Sequence, residues 1–259
     1  MPRANRHFLP GQFWHLTHRC HERSFLLKFS RDRRAYRRWL FEAKKRFGLR
    51  VLNYVVTSNH VHLLVQGSGE GVIAQSMQLA AGRTAQEYNQ RKRRQGAYWE
   101  DRYHATAIEG DEHLHRCIAY IDLNMVRAGV VRHPAAWTNG GYREIQHPPR
   151  RYALIDLDDL SAWCGFASVS AFQQAHRQWV EEALIRNERQ RDERWSGAIA
   201  VGSYAFAEKI KHELALKARH RDIDAVDGTC ALREPANAYT AIFGGESSAL
   251  RTENAGFWA

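Results

Sequence analysis

The sequence predicts an α+β fold: a ferredoxin-like β-α-β-β-α-β sandwich, followed by a mainly helical C-terminal extension. Three observations carry that prediction. Apolar residues switch between strand and helix spacing in the order β-α-β-β-α-β-α over residues 13–128, and the first six elements are those of a split β-α-β sandwich. Glycines punctuate the joins between these elements. After Pro134 strand spacing gives way to helical spacing.

Residues 13–21 (Phe-Trp-His-Leu-Thr-His-Arg-Cys-His) are rich in strand formers. Residues 31–48 read as a helix, with Tyr36, Trp39, Leu40, Ala43 and Phe47 at helical spacing and Gly48 as the stop. Eight Lys and Arg fall within 31–46, mostly off that apolar stripe. Segments 50–57 and 60–66 are strand-like, and only Ser58-Asn59 separates them, as in a hairpin. Gly67, Gly69 and Gly71 then break the chain. A helix over about 72–94 carries Ile73, Met77, Ala80, Ala81 and Tyr88, and runs into Arg91-Lys92-Arg93-Arg94 before Gly96. Residues 98–108 read as a strand. Residues 111–128 read as a helix opened by Asp111 and closed by Gly129.

Residues 133–151 hold three of the six prolines plus Gly140-Gly141, and read as a linker or irregular wrap. Segments 157–187 and 203–219 read as helices, and periodicity weakens from about 222. The expected organisation is a domain over 1–135, a linker over 136–151, and an extension over 152–259 with an irregular tail.

Composition narrows the function. The 259 residues are 44% hydrophobic and 25% charged, which excludes a disordered chain. The apolar runs are short pieces such as Leu63-Leu64-Val65, and none approaches the roughly 18 residues of a membrane span. The N-terminus lacks the apolar core of a secretory signal. Cys20, Cys117, Cys164 and Cys230 form no CxxC pair, which argues against a zinc ribbon or a disulfide framework and for a reducing cytoplasm. The formal charge of +10 is unevenly spread. Residues 1–150 carry 25 Lys and Arg against 12 Asp and Glu, a net +13, whereas residues 151–259 carry 13 against 16, a net −3. A basic block of this kind meets phosphates.

Two candidates for chemistry lie inside that block. His60 and His62 are two apart on a strand and so project from one face, where two imidazoles can share a metal ion. Val61, Leu63 and Val65 then face a core. Tyr120 and Asn124 are four apart on a helix, one above the other. They sit on a polar stripe with His113, Arg116 and Arg127, separate from the apolar stripe of Leu114, Ile118, Ile121 and Met125. Each candidate also has a plain structural alternative, a solvated strand face and a surface tyrosine. Chemistry links the two. A free tyrosine has a pKa of about 10 and needs help to act as a nucleophile at neutral pH. A divalent metal held by two His and one amide oxygen can polarise a phosphodiester.

At these residues the sequence resembles the single-tyrosine HUH transposases, and within them the REP-associated tyrosine transposases of bacteria. The resemblance rests on Asn59-His-Val-His-Leu-Leu-Val65 and on Tyr88-Asn89 followed by Arg91–Arg94. It extends to Trp99-Glu-Asp-Arg102-Tyr103, to Tyr120-Ile-Asp-Leu-Asn124-Met-Val-Arg127-Ala-Gly129, and to Thr17-His18-Arg19 through Arg23. These span roughly residues 3–135; residues 150–219 resemble the C-terminal extensions of some members more loosely. Thr57-Ser58 and Asn124-Met125 stand where the family often has Met-Pro and Asn-Pro.

The resemblance implies the same sandwich fold. It also implies His60, His62 and Asn124 as ligands of Mg2+ or Mn2+, and Tyr120 as the nucleophile that takes a 5′ phosphate. The implied partner is single-stranded DNA with imperfect hairpins, met in the bacterial cytoplasm at the nucleoid. The long extension favours a monomer over a dimer. Arg83, Arg91, Lys92, Arg93, Arg94, Arg102, Arg116 and Arg127 are the candidate DNA contacts.

Tyr88 is the rival nucleophile, but no Asn or Gln follows one turn later, which favours a core or DNA-contact role. His15, His18 and His21 read as structural or phosphate-facing. Trp99, Arg102 and Tyr103 are candidates for stacking on a base. The alternative function is a domesticated regulator that binds hairpin DNA or RNA without cutting. The extension is expected to hold the hairpin or cover the active site.

Overall fold

The first strand, β1 (Phe13–Arg19), lies in the middle of a sheet and pairs antiparallel with two others, β3 (His60–Gln66) and β4 (His104–Ile108). On the outer side of β3 lies β2 (Arg50–Val56), again antiparallel, with a register shift between Val51 and Asn53. The computed structural model describes residues 9, 11–186, 192–214, 221–226 and 229–233, and among them the strand order begins β2-β3-β1-β4. With α1 (Ser30–Phe47) and α2 (Val72–Lys92) as crossovers, this is the ferredoxin-like sandwich.

The alternation of β3 divides the residues as its sequence predicts. Val61, Leu63 and Val65 are fully buried. His18 sits opposite Val61 and stacks on Trp99, whose indole N–H donates to Ala81 O of α2 and whose ring meets Tyr36 of α1. That face of the sheet is therefore the one α1 and α2 cover. Helix α3 (Asp111–Asp122) packs over β2 and β3 on the opposite face, the one carrying His60 and His62.

The helix expected over 111–128 is interrupted at Leu123, where ψ is 0°, and resumes as α4 (Asn124–Arg127). At this break the Arg127 guanidinium donates to Tyr120 O. The fourth strand is shorter than the sequence suggests. Residues 98–103 form a loop anchored by the Cys20–Trp99 bridge.

Residues 136–151, read from sequence as a linker, are built onto the sheet. Trp137 Nε1 donates to Val56 O, Gly140 bridges to Val55, and α5 (Gly141–Gln146) puts Glu144 within 2.9 Å of Tyr54 Oη. The extension has its helical portion, in α6 (Leu157–Trp163), α7 (Val169–Ile185), α8 (Arg194–Gly197) and α9 (Tyr204–Leu214). It also contributes strands. β5 (Ala200–Gly202) runs parallel to β4, and β6 (Asp222–Val226) and β7 (Thr229–Arg233) continue the sheet to seven strands in the order β2-β3-β1-β4-β5-β7-β6. The expected tail beyond 233 lies outside the described residues. Among the described residues no helix is long and apolar enough to cross a membrane.

Candidate active site

Cross-strand register assembles the site. Thr17 lies opposite His62 and Arg19 opposite His60, so these four share the α3 face of the sheet, and His15 follows at the same period. The His60 and His62 rings are 4.9 Å apart, and the Tyr120 ring lies 6.1 Å from His62. A groove of about 300 Å³ opens over them. His60, His62, Tyr120 and Asn124 all line it. The two strand histidines and the two helix residues picked out by their separate periodicities thus meet in one place.

Each imidazole is held from behind. Asn59 donates its amide N–H to Arg23 O, which fixes the amide orientation and leaves Oδ1 as an acceptor 2.7 Å from His60 Nδ1. Thr57 Oγ1, which donates to His60 O, is 3.1 Å from the same nitrogen. His60 Nδ1 therefore carries the proton, and Nε2 is the nitrogen that can ligate. His62 Nδ1 lies 2.9 Å from His15 Nε2 and 3.3 Å from Thr17 Oγ1. His15 is completely buried, and its Nδ1 is 2.5 Å from Trp195 O. Burial drives the His15 imidazole down to about 4, the bond to Trp195 O opposes this, and the charges of His104 and Arg127 add to the depression.

Tyr120 is nearly buried, at 8% exposure. The Arg127 guanidinium stacks 4.1 Å over its ring, while the Trp195 ring from α8 stands 5.9 Å away. A cation on the phenol favours negative charge developing at Oη.

The candidate DNA contacts scatter. Arg127 alone among them lines the groove. Arg116 pairs with Glu112, donates to Thr229 Oγ1 and lines a separate cavity of about 560 Å³ between α3 and the extension. Arg91 is paired with Asp32 of α1, and Arg94 clasps Asn89 Oδ1 and Ala97 O, so both brace the end of α2. Arg83 stacks on Trp39, Lys92 approaches Phe29, and Arg93 and Arg102 are exposed. Sequence reasoning missed Arg19 and Arg23, which line the groove. The period-two spacing of Thr17 and Arg19 was the signal for the first. Arg23 reaches the groove from a turn in which it and Glu22 adopt positive φ, 56° and 51°.

Trp99 packs against His18, Tyr36 and Tyr98, and Tyr103 is buried, so neither presents a free face for base stacking. Tyr88 packs on Tyr98 beneath Arg91 and is not among the residues that line the groove.

Residues 11–124, which span β1 through Asn124, match the family model described as "Transposase IS200 like". The similarity covers the segment from β1 to Asn124. No curated protein matches the chain. Solved structures similar to it include two transposases. One is a REP-associated tyrosine transposase bound to a REP hairpin, at 18% identity and a TM-score of 0.48, covering 59% of this chain and 90% of that one. The other is a putative transposase from Deinococcus radiodurans R1, at 18% identity and a TM-score of 0.33, covering 44% and 90%.

Two histidines and one asparagine, His60, His62 and Asn124, line a common groove with no carboxylate among its lining residues. That donor set fits a divalent ion with open positions, and the imidazoles favour Mn2+ over the oxygen-loving Mg2+. Among the described residues no group of three or more His, Cys, Asp or Glu converges as a metal site, here or elsewhere.

Proposed function

We propose that this chain is a metal-dependent single-stranded DNA endonuclease and strand transferase that works through a 5′-phosphotyrosine at Tyr120. The observation that carries the reading is the convergence of His60, His62, Asn124 and Tyr120 on one groove.

In this reading Tyr120 Oη forms a bond to the phosphorus of a bound strand, and the P–O3′ bond breaks. The leaving 3′ oxygen takes up the proton that the phenol gives up. The 5′ side stays on the enzyme as a phosphodiester, so the bond energy is retained and the step can reverse to join strands. Arg127 stacks on the attacking phenol, and Arg19 and Arg23 hold the strand's phosphates. His60, His62 and Asn124 would hold Mg2+ or Mn2+, which when bound supplies Lewis-acid stabilisation of the phosphate oxygens. The substrate is single-stranded DNA carrying an imperfect hairpin of the REP type, a reading supported by the motifs at 59–65, 88–103 and 120–129. The enzyme acts as a monomer at the bacterial nucleoid, with residues 1–135 as its catalytic unit and residues 152–259 as its extension.

The test is incubation of hairpin-bearing single strands with the protein and Mn2+, scored for nicking and for a covalent protein–DNA product. Wild type is expected to give both. Tyr120→Phe should bind the strand normally while product falls by at least about a thousandfold. A Tyr120→Phe protein that cuts and attaches like wild type would refute the assignment. Hairpin binding indifferent to chelator, with no covalent product from wild type, would instead mark a non-cleaving regulator.

A further inference from the structure

We propose that His15 is a positioning residue for the metal site: it fixes the tautomer of His62, and the extension in turn fixes His15 through Trp195 O. This rests on the reading of His62 as a ligand.

Donors and acceptors decide the tautomer. A backbone carbonyl only accepts, so the 2.5 Å contact with Trp195 O places a proton on His15 Nδ1. In a neutral ring the lone pair is then on Nε2, which faces His62 Nδ1 at 2.9 Å. His62 must donate there, so its Nδ1 holds the proton and its Nε2 holds the lone pair a metal needs. The two rings lie almost parallel, 20° apart with centroids at 5.0 Å. His15 is 0% exposed and His62 3%, so water does not compete for the link.

Around the pair stand Thr17 on the strand of His15, His60 beside His62 on β3, His104 on β4, Arg127 on α4 and Tyr120 on α3. His104 Nε2 is itself 2.9 Å from Ala198 O, just after α8. Thus α8 and its flank fasten two histidines on neighbouring strands of the sheet by main-chain carbonyls. In this scheme the extension sets the chemistry of a ligand in the N-terminal segment without touching the metal.

The arrangement makes the choice of substitution informative. A glutamine at position 15 can accept from His62 with Oε1 and donate to Trp195 O with Nε2. A phenylalanine can do neither.

The test has two parts, both on the full chain. In metal-free wild type, 15N NMR of the imidazoles is expected to show His62 and His15 as Nδ1–H tautomers at neutral pH. Mn2+ titration followed by electron paramagnetic resonance is expected to give about 10- to 100-fold weaker binding for His15→Phe, with His15→Gln recovering most of the loss. An Nε2–H tautomer at His62 in wild type overturns the proposal and needs no variant to fold. So does a folded His15→Phe that binds Mn2+ as wild type does while His62→Ala does not bind, a result that leaves the ligand assignment standing. Absence of Mn2+ binding by wild type defeats both.

Discussion

His176 Nε2 lies 2.7 Å from Asp122 Oδ2, and neither side chain touches solvent. Gln146 Nε2 is 2.9 Å from His176 Nδ1, and Asn53 Nδ2 donates to Asp122 Oδ1, so the pair is satisfied on every side. It joins the α3 helix to α7 of the extension two residues from Tyr120. Asp122→Ala should lower unfolding stability by about 3 kcal/mol, because a buried donor loses its charged partner; urea denaturation would show it, and a change indistinguishable from zero would contradict the role. At this scale the sequence was readable where chemistry follows a local period. His60 and His62 are two apart and Tyr120 and Asn124 four apart, and both pairs reach the groove. It was unreadable where a partner is remote. Nothing in residues 91–94 reveals that Arg91 meets Asp32, and nothing around His15 reveals Trp195, which lies 180 residues away.

Among elements, α5 shows why a Pro- and Gly-rich segment that reads as a linker is built into the fold. Its Gly141 is required by closeness: a Cβ there would stand 2.0 Å from Asn53 Oδ1 and 3.0 Å from Ile155 Cδ1. Asn53 cannot yield freely, since its amide also bonds Ile118 O and Asp122. Gly141→Ala is therefore expected to cost about 1–3 kcal/mol by overpacking, read as a lowered urea midpoint; a midpoint at or above wild type would show that this contact can relax. Glycine in a sequence signals both mobile chain and tight approach, and composition does not separate the two. The hairpin of β2 and β3 was legible because apolar alternation and a two-residue join coincide. The break at Leu123 was not, because helical spacing continues across it and only the Arg127–Tyr120 contact marks it.

For the whole molecule, the charge split and the sheet tell different parts of the account. The net +13 of residues 1–150 predicted a phosphate-bearing partner, and Arg19, Arg23 and Arg127 bring part of it to the groove. If these three meet phosphates, affinity for single-stranded DNA should fall with salt at a log–log slope near −2, and Arg23→Ala should flatten it by about 0.7; a slope near zero in a binding titration would remove electrostatics from the account. The extension's contribution to the sheet was beyond the sequence. Ala200–Gly202 is three residues long, and its strand character comes from pairing with β4, through Ala107 N to Ile199 O at 2.7 Å and Glu109 N to Val201 O at 3.1 Å. Covering that edge shields β4 from other chains and seats α8 beside His15 and Tyr120.

The most direct test of the central claim is to digest the covalent product formed on a hairpin-bearing single strand with Mn2+ and map the modified residue by mass spectrometry. The account predicts a nucleotide joined through its 5′ phosphate to Tyr120. A nucleotide on Tyr88 or any other residue, or cleavage that leaves no protein-bound nucleotide, would contradict it.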